Sequence, residues 1–148
     1  MNRDTYYSAQ FPAGEYYIGD LCYVMHSEWE ELCDLMFPTP TDMQEGEFTV
    51  QDKRLFLAST AYGDGCYSDN FYREYGVDSG TLGIIAVKDI AESELKHLVD
   101  GHVFNFDRDF TVTAEGGVFD FGDIHIDTAG YDEDYNERTR IIGFVLTR

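Results

Sequence analysis

The sequence predicts a mainly β domain of the α+β kind: a bent antiparallel sheet or partly closed barrel with two short helices packed outside. Three observations predict it. Aromatic residues make up 16% of the chain, with 11 Tyr and 11 Phe, and these types favour a pleated, half-buried surface. Short strand-like runs recur along the chain between clusters of Gly and Asp, which carry turn chemistry. Only two stretches place apolar residues at helical spacing. At 148 residues the chain fits one domain, residues 1–148, with no linker or low-complexity tract to divide it.

The elements follow in order. In GEYYIGDLCY, residues 14–23, aromatic and β-branched residues flank Gly19 and Asp20, which predicts a strand, a sharp bend and a second short strand. In HSEWEELCDLMFP, residues 26–38, Ser27 and Glu30 form an S-x-x-E capping box, while Trp29, Leu32, Cys33, Met36 and Phe37 recur at helical spacing. A helix is predicted there, stopped by Pro38 and Pro40, with Cys33 facing the core beside Leu32. A hairpin follows over residues 46–60, Phe48 and Val50 alternating before a turn at Asp52 and Lys53, and Leu55 and Leu57 after it. Residues 60–87 hold the densest turn chemistry between strand-like runs. A second helix is predicted over DIAESELKHLV, residues 89–99, with Ala91, Leu95, Leu98 and Val99 on one face. The rest reads as strands, HVFNF, DFTVTA, VFDF, DIHID and finally RIIGFVLTR, giving about eight to ten in all.

Charge is the compositional outlier. Ten Lys and Arg against 29 Asp and Glu leave a formal net charge of -19, which disfavours direct contact with nucleic acid phosphates or anionic lipid. The same surface suits a cation or a basic protein, including a host protein whose own ligand is DNA. The N-terminal stretch lacks an apolar core of signal-peptide length, and LGIIAV and IIGFVL are too short to span a bilayer. A cytoplasmic location is therefore expected, with Cys22, Cys33 and Cys66 as reduced thiols.

Three passages share a frame: GDLCY at Gly19, GDGCY at Gly63 and GDIHI at Gly122. The wider pattern YYIGDLCYV, then STAYGDGCYSD, then YGVDSGTLGII resembles a family of small, uncharacterised acidic proteins of tailed phages and bacteria, over residues 11–87. Members commonly carry proline after the first Gly-Asp, where this chain has Leu21. The resemblance implies a phage-accessory or bacterial cytoplasmic setting and supplies no mechanism.

The frames suggest similar bends leading into strands and nominate ligand-binding candidates: Asp20, Cys22, Asp64, Cys66, Asp69, Asp78 and His125. Converging loops would bring two thiolates and an imidazole together for zinc, or Asp64, Ser68, Asp69 and Asp78 for calcium. A thiol beside His125 or His102 would suit nucleophilic catalysis, although dense negative charge opposes thiolate formation. His26 and His97 read as ordinary surface or boundary residues. The densest acidic cluster lies at Tyr131, Asp132, Glu133, Asp134 and Tyr135, where carboxylates interleaved with tyrosines suit docking on a basic protein. Three classes stand: an acidic interaction or inhibitor module, a metal- or small-ligand-binding β-domain using the Gly-Asp loops, and a cysteine hydrolase. Neither a cofactor nor an oligomeric state is assigned.

Overall fold

The computed structural model describes residues 5–130. It is mainly β, with strands β1 (Tyr6–Phe11), β2 (Gly14–Gly19), β3 (Gly46–Val50), β4 (Lys53–Ser59), β5 (Gly65–Ser68), β6 (Glu74–Val77), β7 (Thr81–Ala86), β8 (His102–Phe106), β9 (Phe110–Glu115), β10 (Val118–Phe121) and β11 (Ile124–Asp127). One α-helix, α1 (Trp29–Met36), and 3-10 turns at Leu21–Tyr23, Val87–Asp89 and Glu92–Asp100 complete the described elements.

A five-stranded antiparallel sheet, ordered β3-β4-β7-β2-β8, lies in the middle. Successive side chains of a strand point to opposite faces. On one face Tyr16, Ile18, Phe56, Leu82 and Ile84 pack against Phe11, Val112, Phe119 and Ile126 of a four-stranded sheet, ordered β1-β9-β10-β11. On the other face Tyr17, Leu55, Leu57 and Ile85 pack against Leu21 of the first 3-10 turn, Met25 of the loop that follows it, and Leu32 and Met36 of α1. Both faces are covered, so β2, β4 and β7 carry unbroken apolar runs where a one-sided strand would alternate.

The adjacent strand β4 and Leu21 of the covering layer together leave no room for a side chain at Gly83. A Cβ there would sit 2.4 Å from the Phe56 carbonyl oxygen, 2.8 Å from Leu57 Cβ and 2.9 Å from Leu21 Cδ1.

The two sheets do not close into a barrel: they keep separate strand orders, and the β5-β6 ribbon spans the gap on one side. Tyr67, Tyr75 and Val77 of the ribbon enter the inter-sheet core. Its tip is tied to β11 by a bridge between Asp69 and Ile126, and the His102 ring of β8 lies edge-on to Tyr75 at 4.8 Å.

Three local expectations are corrected. The segment after Asp20 is a 3-10 turn, not a strand, because the Asp20 carboxylate accepts the Cys22 amide and caps the turn. Glu28, not Ser27, stands at the N-cap of α1 and makes no side-chain cap bond. Its buried carboxylate reaches Lys53 Nζ at 2.7 Å instead. The second helix is 3-10, with three residues per turn. The predicted apolar face is consequently broken: Val99 is 85% exposed while Glu94 is buried. The expected strand at 140–148 lies outside the described residues.

Candidate functional site

The first Gly-Asp frame builds a closed knot. Asp20 is fully buried. One carboxylate oxygen accepts the Cys22 amide at 3.0 Å and the Ser79 hydroxyl at 2.8 Å. The other accepts the Asp78 and Ser79 amides at 2.8 and 2.7 Å. Through these four bonds Asp20 joins the end of β2 to the β6-β7 turn. The Tyr23 hydroxyl extends the knot, donating to Asp78 at 2.6 Å. Burial, and then the Asp78 carboxylate, push that phenol well above its usual range.

The second frame meets the first across that same turn. Thr60 N donates to the Gly80 carbonyl, and the Thr60 and Tyr67 hydroxyls donate to the Gly63 carbonyl at 2.7 and 2.9 Å. Gly63 holds φ at +78°, a left-handed value that glycine adopts without cost. Asp20 thus holds Asp78 and Ser79 of the turn, while Gly63 and Asp64 lie next to Gly80. The third frame lies elsewhere, at the β10-β11 hairpin, so the three are three different backbone devices. Asp64 and Asp123 lead into strands, and Asp20 into a 3-10 turn.

Asp69 organises the ribbon tip. One oxygen accepts the Phe71 and Arg73 amides at 2.7 and 3.0 Å, and the other accepts the Tyr75 hydroxyl at 2.7 Å and Arg73 Nε at 3.0 Å. Burial works against the charge, but these bonds and the guanidinium outweigh it and hold the carboxyl below its ordinary value. The clamped turn drives two aromatics outward, Phe71 at 53% and Tyr72 at 77% exposure. Tyr72 is held at φ +68°, a left-handed conformation that costs a bulky residue about 1–2 kcal/mol. Arg73 lies over the rings of Phe71 and Phe104 at 5.1 and 4.6 Å, fixing the tip against β8.

The thiols do not converge with an imidazole. Cys22 is raised well above the ordinary thiol value by burial, then by its bond to Asp20 and the carboxylates of Asp20, Asp78 and Asp100. Cys66 is exposed yet also raised, by desolvation and then by Glu74, whose carboxylate lies 3.8 Å from Sγ. Cys33 is raised by burial and then by Asp34 and Glu30. A nucleophilic thiol needs the opposite surroundings. His125, on β11, contacts the Asp120 carboxylate through Nδ1 at 2.6 Å. The Tyr131–Tyr135 acidic cluster lies outside the described residues.

Sequence reasoning passed over a different cluster. Among the described residues, the group of His, Cys, Asp and Glu whose ligand atoms gather within 4.8 Å of one another is His26, Glu94 and His97. The missed signal is periodic. At 3.6 residues per turn positions 94, 97 and 100 drift apart, whereas at three per turn they stack.

A cleft of about 310 Å³ opens beside the β1-β2 turn, lined by Phe11, Tyr16, Arg54, Lys88 and Asp89 among others. Arg54 lies 4.0 Å over the Phe11 ring and is tied to the Glu47 carboxylate and the Gln10 carbonyl. Its charge is thereby engaged within the wall. Among the described residues no helix is long and apolar enough to cross a membrane. Compared with family models, curated proteins and solved structures, the chain matches none.

Proposed function

We propose that this chain is an acidic binding module that docks on a basic protein surface, with the Asp69–Arg73 turn as its contact point. The observation that carries the proposal is the clamp itself: one buried carboxylate makes four bonds, to Phe71, Arg73 and Tyr75, that fix the turn from which Phe71 and Tyr72 project into solvent. Ordinary turns do not need a tyrosine at positive φ, and an observed backbone outlier of this kind is a reason to look for a role. A pre-ordered aromatic loses little entropy when it is buried by a partner. The charge of -19 supplies the second half of the mechanism, steering a cationic surface towards the turn.

The partner class is a basic, nucleic-acid-binding protein, whose phosphate-binding groove presents cationic side chains to carboxylates and stacking surfaces to the rings of Phe71 and Tyr72. Occupying that groove would inhibit nucleic acid binding. The cytoplasm of a bacterium, as host of a phage or as the source, is the setting that the family resemblance implies.

Binding to a panel of purified basic nucleic-acid-binding proteins tests this, by biolayer interferometry at low and at about 0.5 M salt, where screening shortens to a few ångströms. Expected is a complex that weakens steeply with salt, competes with duplex DNA, and loses at least tenfold in affinity in Tyr72→Ser. Equal affinity for wild type and Tyr72→Ser, or salt-independent binding, overturns the proposal.

A further inference from the structure

We propose that His26, Glu94 and His97 form a three-ligand site for a divalent transition metal of the zinc class. The three ligand atoms lie within 4.8 Å of one another, and His26 Nδ1 meets Glu94 Oε1 at 3.0 Å. Tetrahedral zinc with bonds of about 2.0–2.2 Å separates its ligands by roughly 3.4 Å, between the 3.0 Å of the His26–Glu94 contact and the 4.8 Å that bounds the set, so a small rearrangement led by the exposed His26 side chain brings the three to bonding distance. Two imidazoles and a carboxylate match the borderline-soft preference of zinc and exclude the all-oxygen shell that calcium or magnesium takes.

The backbone explains why these residues meet. The 3-10 turn Glu92–Asp100 stacks Glu94, His97 and Asp100 along one stripe, and the loop after the first 3-10 turn brings His26 against it. The His26 and His97 rings stand edge to face at 5.3 Å. Glu94 is 6% exposed, a buried carboxyl group whose polar atoms need a partner, met here by His26. Asp100 Oδ2 contacts His97 Nδ1 at 3.2 Å. That contact fixes the ring and leaves Nε2 as the lone-pair donor, the arrangement by which an outer carboxylate orients a ligating histidine. The His26 side chain is 58% exposed, which gives a metal a path from solvent and leaves the fourth coordination position on the open side. Nothing in this site involves the ribbon tip, so it stands apart from the docking proposal.

The test is titration of the full-length, tag-free chain with Zn2+ against a chromophoric chelator, with Co2+ as the spectroscopic probe. Salt at about 0.5 M suppresses loose cation binding to the acidic surface. Expected is one equivalent of metal, visible-region cobalt bands, a rise in Tm with zinc but not with Mg2+, and loss of binding in His26→Ala and His97→Gln. Asp100→Asn is expected to lower affinity about tenfold with the stoichiometry kept. His26→Ala alters an exposed residue, and its metal-free Tm, compared with wild type, separates lost binding from lost folding. Overturning results are no saturable binding, binding unchanged in both histidine variants, or a cobalt spectrum abolished by Cys66→Ser instead.

Discussion

Ser79 gives both its backbone amide and its hydroxyl to the carboxylate of Asp20, one to each oxygen, at 2.7 and 2.8 Å. The two residues are 59 positions apart. A single buried side chain thereby fixes where β2 ends and where β7 begins, on adjacent strands of the middle sheet. Asp20→Ala removes four bonds and leaves three amides and a hydroxyl to find other partners. A loss of about 3 kcal/mol is expected, since a bond to a charged group contributes about 1.5–3 kcal/mol. Urea unfolding checks it. Ser79→Ala, which removes only the hydroxyl, is expected to cost about 1 kcal/mol.

Asp69 makes the fold acid-sensitive. Its folded-state pKa lies below the ordinary 3.8 because hydrogen bonds and Arg73 outweigh burial. A depressed carboxyl contributes stability that is complete above the unfolded pKa and is lost as pH falls through the folded one. The stability difference between wild type and Asp69→Asn should therefore be level at neutral pH and shrink below about pH 4. Denaturant midpoints across that range measure it, and a difference independent of pH would contradict the assignment.

Thiol reactivity should follow electrostatics more than exposure. Cys66 is exposed, but desolvation and Glu74 raise its pKa, so alkylation at neutral pH is expected to be slower than that of a free cysteine peptide. Glu74→Gln should speed it, and Cys22 should react more slowly still. Labelling rates followed by mass spectrometry decide both points.

Gly83 is enclosed by its partner strand β4 and by Leu21 of the first 3-10 turn. Adding one methyl in Gly83→Ala forces it against the Phe56 carbonyl and Leu21. Overpacking of this kind costs about 3 kcal/mol, and a matching fall in Tm is expected.

How much of this was legible in the residues differs from place to place. The β3-β4 hairpin was readable because its apolar residues alternate on either side of a two-residue turn, although the turn sits at Gln51 and Asp52, both at positive φ, one residue earlier than expected. The strand nature of LGIIAV was also plain, yet its double-sided burial was not, since periodicity cannot tell which neighbours will cover a run. At Asp20 the Gly-Asp frame marks the bend, while the bonds that its carboxylate makes to Asp78 and Ser79 are not written in the frame. Those neighbours arrive from a turn 58 and 59 positions away, so nothing local could show the four bonds that Asp20 makes. The Glu94 and His97 stripe was hidden by an assumed period of 3.6, which put Leu95 and Val99 inside and the ionisable residues outside. Tyr72 gave no signal, because a clamped positive φ depends on the bonds that Asp69 makes around it.

The ribbon tip also has a consequence for how the folded chain avoids its own copies. Asn70 N donates to the His125 carbonyl at 3.0 Å, and His125 N donates back to Asn70 Oδ1 at 2.9 Å. The amide side chain imitates the carbonyl of a neighbouring strand, so one asparagine takes up the outward-facing groups of β11 at His125. An open strand rim is a template for sheet extension between molecules. Asn70, just before the exposed Phe71 and Tyr72, thus occupies the rim of β11 at His125 that a strand of another molecule would need.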